Sequence, residues 1–228
     1  MNLEEVMEEL KARADKETKE KAKKYGIDSR NSLGISLTEL RELSKKLERE
    51  TDDPHSLATE LWNTDVFEAR ELAAIIDRPG KVTDDQMEEW VKDFDSWALC
   101  DLVCQDLFSR TDMAEKKIRE WTSREEEFVK RAGFALLAKI ALYRKDAPDK
   151  SFLSYFPLIE RESDDERKYV KKAISWALRE IGKRNKELNI QAIELAQRLK
   201  ERDSKASKWI ASDVLRELQS EKIQERLK

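Results

Sequence analysis

The sequence predicts an all-α fold, more specifically an α-solenoid in which antiparallel helical hairpins stack on one another. The first observation is composition: 41% of the 228 residues are charged, and there are only 5 Gly and 4 Pro, which is typical of helical proteins. The second is that apolar residues recur with a period near 3.6, without sustained alternation of period two. The third is that the candidate helices form pairs of roughly 35–45 residues, each too small to bury its own core. A closed helical bundle is the alternative architecture.

The N-terminal half is predicted to contain a series of helices separated by short connections. Gly26 ends the first helix, and Ser36 with Glu39 has the spacing of a capping box at the start of the second. Pro79-Gly80 is a turn signal, and Thr83 is a candidate N-cap. The predicted ranges are 3–25, 36–50, 55–62, 66–77, 83–92 and 95–108.

The C-terminal half is predicted to continue the same pattern, with one helix at its centre. Residues 128–143, FVKRAGFALLAKIALY, are apolar nearly all round, and Gly133 among them suggests the close approach of a neighbouring backbone. Because no linker rich in Gly, Ser or Pro interrupts the chain, we expect a single domain over residues 1–228. The predicted ranges are 113–122, 124–145, 150–160, 164–186, 187–201 and 204–219.

The predicted helix over residues 167–186 is the most informative, because its two faces differ in charge. Its apolar face falls within an arc of roughly 100° and consists of Val170, Ile174, Ala177, Leu178 and Ile181. The opposite face carries a basic stripe with one aromatic ring, formed by Lys168, Lys172, Trp176, Arg179 and Lys183. A solvated charged face with a stray aromatic is the simpler interpretation. The predominance of one sign of charge favours a polyanion, and the exposed ring favours nucleic acid.

Two further stretches contain charged residues close to apolar faces. In residues 93–108, Trp97 and Asp101 lie one turn apart at the edge of a face formed by apolar residues, so the carboxylate is either partly desolvated or an ordinary surface group with a salt-bridge partner. Arg131 lies inside the apolar stretch 128–143. It therefore requires a structural partner, such as a carboxylate, or an anionic ligand.

Several classes of function are excluded by what the sequence lacks. The one histidine, His55, follows Asp53-Pro54 as a helix-start residue, which makes a Ser-His-Asp or Cys-His site improbable. Cys100 and Cys104 cannot form a zinc site with so few other ligands, and we interpret them as reduced packing residues. No metal or nucleotide cofactor is expected. With no secretory signal and no membrane span in the sequence, we expect a cytoplasmic protein that does not bind membranes.

Taken together, these stretches resemble the AlkD-type family of bacterial DNA alkylation-repair glycosylases, which are built from HEAT-like repeats. The resemblance covers most of the chain. Its most specific part is the segment KKAISWALREIGK, which contains Trp176 and Arg179. The other matching positions are Trp97 and Asp101 in W-x-x-x-D, Arg131 in KRAGFALLA, Tyr25 before Gly34-Ile35, Arg41, and Glu60-Leu61-Trp62.

The resemblance implies a DNA glycosylase that hydrolyses the N-glycosidic bond of purines alkylated at N3 or N7. It implies that a concave basic face binds duplex DNA and that neither a metal nor a deep base pocket is needed. Asp101 would stabilise the oxocarbenium-like sugar and position water, while Trp97 and Trp176 would pack on the lesion nucleotide. The residues that would contact DNA are Tyr25, Arg131, Lys172, Arg179 and Lys183. We expect a monomer.

A second interpretation is a HEAT-like scaffold that binds DNA or protein without catalysis. The acidic balance of the chain, a net charge of −4, supports it, although a local basic groove on an acidic protein can still hold DNA. Ala98 also supports it, because relatives often have an acidic residue directly after the tryptophan. Thr38, which replaces a frequent proline, is a second departure from the family pattern.

Overall fold

A computed structural model describes residues 1–27 and 31–227, and those residues form helices, turns and loops without a β-strand. The prediction of an all-α fold is therefore confirmed. The chain divides into two compact units, Met1–Met113 and Ala114–Lys228. The single domain over residues 1–228 stays a prediction.

Unit 1 contains seven α-helices among its described residues, and the predicted positions of most of them are correct to within a few residues. They are α1 (Leu3–Ala12), α2 (Lys16–Lys24), α3 (Leu37–Glu50), α4 (Pro54–Trp62), α5 (Phe67–Ile76), α6 (Asp84–Lys92) and α7 (Trp97–Asp106), with short 3₁₀ turns at Pro79–Lys81 and Phe108–Arg110. The predicted helix over 3–25 is instead two helices. The reason is Asp15, whose side chain accepts a hydrogen bond from the Thr18 backbone at 2.6 Å and so starts a new helix.

The core of unit 1 is centred on α5, which packs against α3, α4 and α7. Nearly the whole of α5 is buried. Beside it the rings of Trp62 and Trp90 stack with centroids 3.9 Å apart, and Phe94 packs edge-on against Trp62. The predicted capping box at α3 is present, because Ser36 and Glu39 exchange side-chain to backbone hydrogen bonds.

Unit 2 contains eight α-helices among its described residues. They are α8 (Ala114–Trp121), α9 (Glu127–Tyr143), α10 (Asp149–Leu153), α11 (Phe156–Glu162), α12 (Lys168–Gly182), α13 (Lys186–Glu201), α14 (Lys205–Leu218) and α15 (Glu221–Arg226). The predicted helix over 150–160 is divided in two, because Pro157 cannot donate the backbone hydrogen bond that a continuous helix requires. The last helix, α15, was not predicted.

The core of unit 2 is organised around α9, as its composition predicted. Residues on every side of α9 are buried, and α12 packs along it. The predicted apolar face of α12 is fully buried at all five positions. Gly133 confirms the expected close approach, because a Cβ at this position would lie 2.7 Å from the backbone nitrogen of Thr122.

Within the described part of the chain, no helix combines the length and the apolar character that crossing a membrane requires. Both cysteines are buried and free of disulfides, as expected for packing residues. His55 is the second residue of α4, and its Nδ1 lies 2.6 Å from the Asp77 carboxylate.

Candidate functional site

A cavity of about 360 Å³ in unit 1 is lined by residues of α2, α5, α7 and the segment that leads into α3. Helix α7 contributes the predicted site residues Trp97 and Asp101, both half-buried, together with Gln105. These positions are spaced by four residues, so they share one face of α7. We call this space the Trp97 cavity.

Trp97 is held at the rim by the start of α7 and by the end of α2. It is the first residue of α7, where Ser96 caps the helix by accepting a hydrogen bond from the Leu99 backbone at 3.4 Å. Its indole nitrogen donates a hydrogen bond to the backbone carbonyl of Tyr25 at 3.1 Å. The structure thus brings Tyr25 and Trp97 together, and the Tyr25 side chain is 75% exposed.

Glu68 on α5 fixes the loop that forms one wall of the cavity. It is 1% exposed, and it accepts hydrogen bonds from the backbone of Leu33 and Gly34 and from the Ser32 hydroxyl, each at 2.7 Å. Gly34 adopts a φ of 81°, and a Cβ there would lie 2.0 Å from the Asp15 carbonyl oxygen. Only glycine can therefore bring this backbone so close to α2.

Glu71, one turn after Glu68 on α5, is a second buried carboxyl in the wall of the cavity. Burial, with repulsion from Glu68 and Asp106, raises the pKa of Glu71 to about 8, and Arg41 opposes the shift. Arg41 donates to the Asp106 carboxylate at 2.7 Å. In contrast to Glu68, Glu71 makes no hydrogen bond with any residue in the ranges 1–27 and 31–227.

In unit 2, Trp176 on α12 is half-buried, and the Lys139 ammonium lies 4.7 Å from the centre of its ring. Lys139 itself is 7% exposed. One face of the indole is thus already covered by a cation from α9, an arrangement that fixes the orientation of the ring.

The basic residues at the C-terminal end of α12 are paired with acidic residues of the same unit. Arg179 forms an ion pair with Glu217, and its Nε lies 3.4 Å from the Asp213 carboxylate. Lys183 lies 2.8 Å from Glu217 and 2.7 Å from Glu180. Burial alone would raise the pKa of Glu217, but hydrogen bonds from Lys183 and Arg179 lower it below the usual value. Of these acidic partners, only Glu180 lies within the predicted helix over residues 167–186.

The remaining predicted DNA contacts differ in their surroundings. Arg131 is 6% exposed and donates to the Tyr169 backbone carbonyl at 2.7 Å, so this buried cation has a backbone partner. Lys172 is exposed and makes no ion pair within the parts of the chain that the structure describes. The predictions that these residues contact DNA stay predictions.

Sequence reasoning missed the acidic residues beside Trp97 and Asp101. Glu68 and Glu71 are one turn apart in FEARELAAII, a segment otherwise rich in apolar residues. Two carboxylates on one face of a buried helix are a signal that could have been recognised. In the described residues, no group of three or more His, Cys, Asp or Glu side chains could hold a metal ion.

Comparison with known proteins first assigns the class of fold. One solved structure superposes with a TM-score of 0.75 over 95% of both chains at 20% sequence identity. That protein is described as one of a new family of proteins related to the HEAT-like repeat DNA glycosylases, with affinity for branched DNA structures. This likeness confirms the predicted class of fold.

The sequence then assigns the family. The family model described as DNA alkylation repair enzyme matches residues 6–209, and the chain therefore belongs to the DNA alkylation repair enzyme family. None of the curated proteins matches this sequence.

Proposed function

We propose that this protein is a DNA glycosylase that hydrolyses the N-glycosidic bond of cationic N3- or N7-alkylated purines in duplex DNA. The observation that carries the proposal is the placement of Trp97 and Asp101 in the wall of one cavity, in a chain of the DNA alkylation repair enzyme family. In the proposal, the protein acts as a monomer in the cytoplasm.

The chemistry that this proposal requires is modest, because alkylation at N3 or N7 makes the purine cationic and a good leaving group. The bond between C1′ and the purine N9 breaks, both bonding electrons leave with the base, and positive charge develops on the sugar. Water then forms a new bond to C1′ and loses its proton. Asp101 would stabilise the positive sugar electrostatically and orient the water through its carboxylate.

The aromatic residues would position the lesion. The hydrogen bond from Trp97 to the Tyr25 carbonyl fixes the indole at the rim of the cavity, where it would pack against the lesion nucleotide and exclude bulk water. Trp176 is proposed to contact the same nucleotide, with a ring whose orientation Lys139 fixes.

The cations would bind the DNA backbone. Lys172 is exposed for this role, whereas Arg179 and Lys183 would have to exchange Glu217 for phosphate oxygens. Arg131 would act through the backbone of α12, which it already holds at Tyr169.

Base release is the direct test. Methylated duplex DNA is incubated with the protein, and free 7-methylguanine and 3-methyladenine are measured. We expect Asp101→Asn to lower the single-turnover rate by about 10²–10³-fold, the usual loss when one electrostatic stabiliser of a transition state is removed.

Asp112→Asn is the matched control, because Asp112 is an exposed carboxylate elsewhere in unit 1. It should release base at the wild-type rate. The proposal fails if the wild-type protein releases no base, or if Asp101→Asn releases it as fast as wild type does.

The second candidate function is binding of DNA without catalysis. Two points favour it: Ala98 follows Trp97 directly, where the family resemblance leads us to expect an acidic residue, and the structural neighbour is described as a protein with affinity for branched DNA structures. This second function predicts that the protein binds a four-way DNA junction more tightly than a plain duplex in a gel-shift assay. It also predicts that no base is released.

A further inference from the structure

The beginnings of α12 and α14 carry a surface patch of lysines around an exposed tryptophan. Each of the two helices starts with a lysine and has another at its fourth position. Trp209 follows on α14 and is 38% exposed. We call this surface the Trp209 patch, and its members are Lys168, Lys171, Lys172, Lys205, Lys208 and Trp209.

The register of α12 against α14 brings these lysines to the same end of the helix pair. In three contacts between the two helices, the partner on α14 is 38 residues further along the chain. A constant offset means that the helices run parallel, so their first turns lie side by side. The three contacts are those of Lys171 with Trp209, Ser175 with Asp213 and Arg179 with Glu217.

Most lysines of the patch have no acidic partner, in contrast to Arg179 and Lys183 at the other end of α12. In the parts of the chain that the structure describes, four of them form no ion pair, and these are Lys168, Lys171, Lys172 and Lys205. Lys208 lies 4.0 Å from the Asp203 carboxylate, which is fully exposed. The patch therefore carries positive charge that the protein itself does not neutralise.

The acidic residues just before α12 are engaged by other groups. Glu166 accepts a hydrogen bond from the Ala206 backbone at 3.1 Å. Two ion pairs occupy the others, and these join Asp164 to Arg202 and Asp165 to Arg167, each at 2.5 Å. Each of these carboxylates thus has a partner outside the patch.

The lysines of the patch do not stabilise their own helices. The start of a helix carries a partial positive charge, so cations in the first turn are unfavourable there. Neither α12 nor α14 has an acidic residue in its first turn, whereas α13 has Glu187 there. Helix stability therefore does not explain these lysines, and an anionic ligand does.

Trp209 adds a group that a surface for phosphates alone does not require. The Lys171 ammonium lies 5.8 Å from the centre of the indole ring, so one nucleotide can place its base against the ring and its phosphate against a lysine. Inside a duplex each base is stacked between its neighbours and has no free face. Cations around an exposed aromatic ring are the arrangement that binds single-stranded nucleic acid.

We infer that the Trp209 patch binds single-stranded DNA, with an unpaired base stacked on Trp209 and the flanking phosphates on the lysines of α12 and α14. Membership of the DNA alkylation repair enzyme family favours DNA over other polyanions. The inference goes beyond the proposed function, which concerns a base in duplex DNA, and it requires neither Asp101 nor base release.

Fluorescence anisotropy with two labelled probes tests the stacking on Trp209. One probe is an oligothymidylate of about 12 nucleotides, within the usual site size of roughly 4–16. The other is a duplex of equal length whose ends are closed by hexaethylene glycol linkers, so that no base has a free face. We expect Trp209→Ala to weaken binding of the single strand about 5- to 150-fold, which corresponds to the roughly 1–3 kcal/mol of one base stacked on an aromatic residue.

The closed duplex and a conservative variant separate stacking from a structural effect. Affinity for the closed duplex should be the same in Trp209→Ala and wild type. Trp209→Phe keeps a ring, so it should bind the single strand more tightly than Trp209→Ala does. If Trp209→Ala lowers the Tm, Trp209→Leu repeats the test with a larger apolar side chain.

The lysines are tested by the salt dependence of single-strand binding. Lys205→Gln combined with Lys208→Gln should reduce the slope of log K against log salt by about 1.4, at about 0.7 for each phosphate. The matched control is Lys186→Gln combined with Lys222→Gln, which removes the same charge from exposed positions after the ends of α12 and α14. The control should keep the wild-type slope, and equal slopes in the two double variants would overturn the role of the lysines.

Three further results would overturn the inference. The first is a wild-type protein that does not bind the single strand. The second is an equal loss of single strand and closed duplex in Trp209→Ala. The third is a Trp209→Ala protein that binds the single strand as wild type does but no longer binds vesicles containing phosphatidylserine, which would make the patch a membrane contact.

The inference and the proposed function can fail separately. Trp209→Ala should release base from methylated duplex at the wild-type rate, because Trp209 is not among the proposed lesion contacts. A wild-type protein that binds the single strand through Trp209 without releasing base would support the patch and refute the glycosylase. Base release without single-strand binding would do the reverse.

Discussion

At the scale of single residues, the site of unit 1 depends on two carboxyl groups with opposite surroundings. Glu68 is buried but saturated with hydrogen bonds from the loop at Gly34. Glu71, one turn away, is close enough to Glu68 on its own helix, Asp106 on α7 and Arg41 on α3 to interact with their charges, and it lines the same cavity as Asp101. The first carboxylate builds the wall of the cavity, and the second remains available within it.

Glu71 should make stability depend on pH. Its pKa is raised to about 8 from an ordinary 4.5, so between these values the folded state binds a proton that the unfolded state does not. Stability from this group is fully present below pH 4.5 and is lost as pH rises through 8, at up to about 1.4 kcal/mol per pH unit. Glu71→Gln should remove this slope and be more stable than wild type by about 3 kcal/mol at pH 7.

Urea unfolding from pH 4 to 9 measures this effect. The two proteins should have the same stability near pH 4 and diverge above it. Parallel curves over the whole range would mean that Glu71 titrates normally and is not buried as described.

At the scale of helices, the position of α9 depends on close backbone packing at Gly133 as well as on its side chains. A Cβ at Gly133 would lie 2.7 Å from both the backbone nitrogen and Cγ2 of Thr122. Backbone cannot move aside as a flexible side chain can, so the glycine fixes the distance between α9 and the end of α8.

Gly133→Ala should therefore destabilise the protein by about 1–3 kcal/mol, although alanine is the better helix former by about 1 kcal/mol. Gly80→Ala is the matched control, because a Cβ there meets nothing within 4 Å. Thermal unfolding should show a lower Tm than wild type for Gly133→Ala but not for Gly80→Ala. A Tm at or above the wild-type value would contradict the close approach.

The ion pairs between α12 and α14 bear on the proposed binding of DNA. Glu217 forms ion pairs with Arg179 and Lys183, two cations proposed to bind phosphates. Glu217→Gln should remove the acidic partner that they share and leave Arg179 only Asp213 and Lys183 only Glu180. Duplex DNA should therefore bind more tightly, and the slope of log K against log salt should steepen by about 0.9 for each additional phosphate that the protein neutralises.

Fluorescence anisotropy over a salt series provides the measurement. Glu221→Gln, an exposed position on α15, removes the same charge without touching the pair and serves as control. Identical slopes for the two variants would show that Arg179 and Lys183 do not contact DNA.

At the scale of the whole molecule, the net charge of −4 and pI of about 5.5 oppose non-specific binding to DNA. Any binding must therefore come from local cations acting against the charge of the whole chain. The long-range repulsion is screened by salt over roughly 10 Å at 0.1 M, and so are the exposed contacts.

We consequently expect affinity for a plain duplex to fall continuously between 50 and 200 mM salt, by about tenfold or more for a few phosphate contacts. A gel-shift series over that range measures the fall. Binding that does not change with salt concentration would contradict an interface made of phosphate contacts and would indicate contacts of the kind found between proteins.

Much of this protein could be predicted from its sequence because the relevant information is local. The period of the apolar residues determined the helices, the capping residues Ser36 and Thr83 determined where two of them begin, and the buried face of α12 followed from spacing alone. The predicted helices were wrong where a residue that starts or interrupts a helix was overlooked. Asp15 starts a new helix inside the first predicted one, and Pro157 interrupts the helix predicted at 150–160.

What only the tertiary structure decided are the partners that come from distant parts of the chain. The sequence predicted that Trp97 and Asp101 lie one turn apart on the same helix. It did not predict that the Tyr25 carbonyl accepts a hydrogen bond from the indole, or that the Glu68 and Glu71 carboxyls of α5 line the same cavity. It identified the cations of α12 but not Glu217, which lies more than thirty residues away and forms ion pairs with two of them. Helical spacing fixes which residues share a face, whereas burial, pKa and pairing depend on what the fold packs against that face.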